Sequence, residues 1–138
     1  MDKEILRIDL LSDWQKHFAF GLGEAVLRER DSHNNVIIEL LLATNAFDLI
    51  MDLNSDYLSQ IPESIIYKYN YSRDFKEKAW ASENEELIVD VEDFYCYLKS
   101  NKSNVDENLF GKEYNEVIKI CESVIKNETS LYLIADDY

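Results

Sequence analysis

The sequence predicts a mainly α-helical single domain built around a central apolar helix at about 35–51, with room for a short strand near a terminus. Three observations carry this. The chain has only 3 Gly and 1 Pro in 138 residues, whereas sandwiches and barrels need many tight turns and more of both. Apolar residues recur at helical spacing in several segments. The run from Val36 to Met51 leaves almost no polar face, as expected of a helix at the centre of a domain.

Taken in order, residues 4–14 suit either a short strand or a first helix. Trp14, Phe18 and Leu22 repeat at i, i+4, i+8 behind Ser12 as a cap, which favours a helix over about 12–20. Glu24–Arg30 reads as a further helical piece, and Asp31-Ser32-His33-Asn34 as a turn. The apolar run 35–51 follows, interrupted only by Glu39 and Asp48 among charged residues. Ser55 or Asn54 caps a short turn through Gln60, and Pro62 suits the first turn of the next helix, with Ile65, Ile66 and Tyr69 inward. Asn84 caps a helix over about 85–100, striped by Leu87, Val91, Phe94, Tyr95 and Leu98. After a polar loop, a last helix over about 112–127 carries Tyr114, Val117, Ile118, Cys121, Val124 and Ile125. Ser130–Ile134 suits a terminal strand or one more helical turn.

No repeat, low-complexity tract or linker divides the chain, so one domain over 1–138 is expected. The opening MDKEILRIDLLSDW mixes acids among its apolar residues and lacks the apolar core of a signal peptide. No apolar stretch approaches the about 20 residues of a membrane span. Cys96 and Cys121 fall in helical apolar patterns, where buried free thiols are expected, and the cytoplasm is the expected compartment.

Acids outnumber bases 28 to 14, a formal charge of −14. Such a field repels phosphate backbones and anionic lipid, and attracts a basic protein or a cation. Residues 52–138 hold 19 of the acids and 9 of the bases. Within them Glu83, Glu85, Glu86, Asp90, Glu92 and Asp93 fall inside eleven residues with no Lys or Arg among them. On a helix, Glu86, Asp90, Asp93 and Tyr97 follow i, i+4, i+7, i+11 and share a face. These acids and Tyr97 are therefore the candidate partner-binding residues, with Tyr95 beside them and Asp136, Asp137 and Tyr138 able to add to the surface. The competing reading is a solvated face, neutralised by Lys76, Lys78 or Lys99, that only keeps the protein dissolved.

No chemistry-bearing motif competes with a binding role. A nucleophile elbow, a phosphate-cradling loop and a dinucleotide fingerprint are all missing from the sequence. His17 and His33 stand apart from each other and from both cysteines, so no zinc set is expected, and no EF-hand loop offers a calcium site. The chain is expected to be no enzyme and to carry no cofactor and no metal.

A compact, Gly- and Pro-poor acidic domain with clustered Glu/Asp and surface Tyr resembles the small immunity proteins of bacterial toxin–immunity systems, including those of contact-dependent growth inhibition. The resemblance is one of character over the whole chain, and stretches such as SNKSNVDENLFGKEYNEVIKI fit a low-G+C bacterial source. It implies a cytoplasmic protein that neutralises a cognate toxin domain, often a nuclease, by covering its active site or a neighbouring surface. A second reading is an acidic mimic of nucleic acid that occupies a nucleic-acid-binding host protein.

Overall fold

The computed structural model describes residues 5–11, 23–54, 56–74 and 84–136. The expected helix at 12–20, with His17, lies outside them.

The expectation of a mainly α, all-α domain is overturned by a five-stranded mixed sheet, which makes the fold α/β. The strands are β1 (Leu6–Asp9), β2 (Glu24–Arg30), β3 (Val36–Ala43), β4 (Glu86–Leu87) and β5 (Ser130–Asp136), in the spatial order β1-β3-β2-β5-β4. Only the β1–β3 pair is parallel. Four α-helices accompany them among the described residues: α1 (Thr44–Met51), α2 (Ile65–Asp74), α3 (Val91–Ser100) and α4 (Glu107–Asn127).

The central apolar helix expected at 35–51 divides into β3 and α1. Its first half, VIIELLLA, opens on three β-branched residues and pairs on both sides, with β1 and with β2. Leu40 and Leu42 face the helices while Ile37 and Leu41 on the opposite face are apolar too, so the run lacks polar alternation, and periodicity alone does not separate it from a buried helix. The second half is helical, with Phe47, Ile50 and Met51 turned inward. Glu24–Arg30, expected as helix, is β2, and its alternation is the signature of a strand. Ala25 and Leu27 face one way, Val26, Arg28 and Arg30 the other.

The scarcity of glycine misleads because the tight hairpin between β2 and β3 does without it. Between β2 and β3, Asn34 takes the left-handed backbone (φ 66) and the Asp31 carboxylate accepts the N–H groups of His33 and Asn35. Asn tolerates that conformation and Asp closes such turns with its side chain. Glu128 supplies a second left-handed residue, ending α4 before β5.

One face of the sheet and the helices share a single core. Leu27, Leu40, Leu42, Leu131 and Leu133 pack with Phe47, Ile65, Phe94, Tyr114 and Val117. The opposite face carries charge in register. Arg7 Nε donates to Glu39 Oε1 and Arg28 Nε to Glu39 Oε2, both at 2.8 Å. Arg28 Nη1 reaches Glu85 Oε2 at 2.7 Å, and Arg30 Nε reaches Glu85 Oε1 at 2.7 Å. Arg30 also lies 5.6 Å from the centre of the Tyr132 ring. Positive and negative thus alternate across the strands, and each carboxylate accepts from two guanidiniums, the strong geometry for such pairs.

No helix among the described residues is long and apolar enough to cross a membrane.

Candidate acidic interface

The segment expected as one helix from about 85 to 100 has three parts, and each gives its acids a different environment. Glu85, just before β4, is drawn into the charge ladder. The Arg30 guanidinium foremost, with Arg28, holds its carboxyl below the usual glutamate range despite burial. Glu86 and Leu87 form β4 at the sheet edge, where Glu86 is exposed. The chain is then pinned by the Ile88 N–H donating to Leu131 O at 2.9 Å, with Ile88 buried. Val89 projects outward at 68% exposure. The helix α3 starts only at Val91, so Glu86 does not share a helical face with Asp90 and Asp93.

Asp90 is a bracket between two helices. Its own carbonyl accepts the Phe94 N–H at 2.9 Å to begin α3, while its carboxylate accepts the Ile65 N–H, 3.2 Å from each oxygen, at the start of α2. Burial pushes its pKa up; the Ile65 N–H pulls against that, and the Asp93 charge adds to the rise. Glu92 and Asp93 are exposed in the first turn of α3, where the helix dipole favours negative charge. Tyr97 is half-buried; its hydroxyl accepts the Asn54 N–H at 3.0 Å and donates to Met51 O at 3.3 Å. Tyr95 donates to Glu122 at 2.9 Å.

Of the nominated residues, Glu86, Glu92 and Asp93 thus stand on the surface. Glu85, Asp90 and Tyr97 hold the fold that presents them. Glu83, Lys76, Lys78, Asp137 and Tyr138 lie outside the described residues, and Asp136 ends β5.

Two grooves meet here. One, of about 650 Å³, runs between the β4–α3 turn and the junction of α4 with β5, lined by Leu87, Val89, Val91, Ile125 and the acids Glu92 and Glu128. The other, of about 490 Å³, lies between the α2 entry and α3, with Ile61, Gln60, Cys96 and Tyr97 in its wall. Asp90 and Asp93 line both and form the saddle between them. Among the described residues no Lys, Arg or His lines either groove. Leu87, Val89 and Ile61 are exposed apolar side chains at 43%, 68% and 60%. Sequence reasoning missed Glu128 and Ile61, since their positions depend on how α4 and the α2 entry fold back towards α3. Val89 stood in plain view, but a helical reading hid its exposure.

Cys121 is buried with its thiol pushed up to about 12 by burial, whereas Cys96, expected to be buried, is exposed. The apolar stripe that suggested burial fits α3 at Phe94 and Leu98, and Cys96 lies off it. Among the described residues no three His, Cys, Asp or Glu side chains gather as metal ligands.

No family model matches the chain, and no curated protein or solved structure matches it either.

Proposed function

We propose that this protein is an immunity-type inhibitor that binds a basic toxin domain, a nuclease above all, through the double groove around Asp93. One observation carries the reading. Exposed apolar side chains (Leu87, Val89, Ile61) sit within two joined grooves that, among the described residues, carry acids and no basic residue. Apolar anchors inside a charged rim are the usual anatomy of a protein interface.

The charge ladder supports the same reading. Three arginines, Arg7, Arg28 and Arg30, are spent on the far sheet face in pairs with Glu39 and Glu85, away from the acids of the grooves. A nuclease needs a basic surface to hold phosphates, and an acidic plug gains both steering and complementarity against it.

The test is calorimetric titration against the basic toxin domain encoded beside this protein's gene. Binding should weaken as salt rises. The double variant Glu92→Lys/Asp93→Lys should lose about tenfold or more in affinity, since two attractive charges become repulsive. Asp90 is left intact because reversing it would disturb α2. Binding indifferent to both salt and the double variant would sink the mechanism.

A further inference from the structure

The groove between the β4–α3 turn and the α4–β5 junction has a charge behind its floor. Thr129 and Leu131 are part of its lining. Behind them stands Glu29, which is paired with Leu131 across β2 and β5 and is fully buried. Its Oε2 accepts the Thr129 hydroxyl at 2.6 Å, and its Oε1 has no hydrogen-bond partner. The carboxylate therefore lies one hydroxyl behind the groove. Its chain neighbours Arg28 and Arg30 point to the other face of the sheet, and among the described residues no cation pairs with it.

A buried carboxylate without a counter-charge is costly to a fold. In a low dielectric its field is weakly screened, and a cleft with walls of one charge sign focuses that field outward. A cation arriving at Thr129 is thus drawn by Glu29 from behind and by the exposed rim acids Glu92, Asp93 and Glu128 from in front.

The floor narrows the kind of cation. The Thr129 hydroxyl donates its proton to Glu29, so what it offers a ligand is a lone pair. A single acceptor of that kind suits the compact ammonium of lysine, a point charge on a flexible stem. A guanidinium gains most from a carboxylate edge that takes two parallel N–H groups, and here the Glu29 edge stands behind Thr129. The walls match the rest of a lysine, since Leu87, Val91 and Ile125 offer apolar surface to its methylene stem.

We infer that this groove receives a lysine side chain of the basic partner, its stem along Leu87, Val91 and Ile125 and its ammonium on the Thr129 hydroxyl. Glu29 is the counter-charge behind it. The inference rests on the proposed binding role only for the source of the lysine.

Titrating n-butylammonium, a lysine side chain without its backbone, into the isotope-labelled full chain tests the site with no partner protein present. The NMR amide signals of Ile125, Thr129 and Ser130 should shift saturably, with an affinity of about 1 mM for so small a ligand. n-Butanol, the same stem without the charge, should bind about tenfold more weakly or less, and n-butylguanidinium should bind more weakly than the ammonium. Glu29→Gln keeps the shape, removes the charge and should weaken n-butylammonium about tenfold. Glu29→Met/Thr129→Val removes charge and hydroxyl together and should erase the preference for n-butylammonium over n-butanol. Circular dichroism checks that each variant folds, and either variant alone suffices. Absence of saturable shifts overturns the inference, as does equal binding of n-butylammonium and n-butanol. A folded variant that binds n-butylammonium like the wild type, or tighter binding of n-butylguanidinium, overturns it too. Each of these leaves the toxin titration to judge the partner reading by itself.

Discussion

The carboxylate of Asp90 lies 3.2 Å, by either oxygen, from the backbone nitrogen of Ile65, so the residue that begins one helix caps another across 25 positions of sequence. The first N–H groups of a helix have no partner within it, and a side-chain acceptor there stabilises by about 1 kcal/mol. Asp90→Ala should therefore cost about 1 kcal/mol in urea unfolding, and Asp90→Asn, which keeps an acceptor, clearly less. Equal costs for the two would mean that the cap contributes nothing.

The ladder sets a pH dependence of determined sign. Burial opposes the charge on Glu39, but Arg28 and Arg7 outweigh it and hold its carboxyl low; Arg30 does the same for Glu85. A lowered carboxylate stabilises the fold above its ordinary value, here 4.5, and that contribution disappears as pH falls through the folded value. Asp90, raised by burial, has the opposite sign: its ionisation costs stability as pH climbs from its ordinary 3.8 to the folded value. Glu85→Gln should cost about 1–2 kcal/mol at pH 7. The stability difference between it and the wild type should shrink as pH falls below the ordinary 4.5 towards the lower folded value. Parallel curves down to pH 3 would show that Glu85 carries no such linkage.

The two thiols should behave oppositely. Cys96 is exposed on α3, while Cys121 is buried and its thiol is pushed up to about 12. Reactivity follows thiolate fraction and access. A chromogenic disulfide reagent should label Cys96 in the native protein and reach Cys121 only on unfolding. Native labelling of Cys121 at a comparable rate would show that the helix layer opens far more often than its packing implies.

Much of the helical half was legible in the sequence; of the sheet, only the strand alternatives at 4–14 and 130–134 were, where β1 and β5 lie, while β2 and β3 read as helix. The stripes of α3 and α4 were readable because apolar side chains at Phe94, Leu98, Val117, Cys121 and Val124 face one core. The strands hid for two separate reasons. In β3 the face away from the helices also carries apolar Ile37 and Leu41, so a run such as VIIELLLA keeps almost no polar alternation. In β2 the outward residues are Arg28 and Arg30, which look like a helix surface until Glu39 and Glu85 are known to lie beside them. Those partners come from other segments, and no local pattern announces them. The acidic cluster was visible as composition, but its division into cap, ladder and surface follows from the strand at Glu86–Leu87, which breaks the supposed helix.

Among the described residues Glu29 and Asn70 each bury a side-chain oxygen without a hydrogen-bond partner, and of the two Glu29 is the carboxylate. It is fully buried on the helix-covered face of β2, opposite Ile38 and Leu131. Thr129 Oγ1 donates to its Oε2 at 2.6 Å, and Oε1 has no hydrogen-bond partner. An unsatisfied buried acceptor costs about 1–3 kcal/mol, whereas replacing both members of a buried pair with apolar groups of like shape is often neutral or stabilising. Thr129→Val alone strips the remaining donor and should destabilise by about 1–3 kcal/mol. Glu29→Met with Thr129→Val removes the acceptors as well and should match or exceed the wild type in stability. Urea unfolding of the single and double variants separates the terms. A double variant less stable than Thr129→Val alone would mean that Glu29 contributes through its carboxylate, against the geometry of an orphaned Oε1.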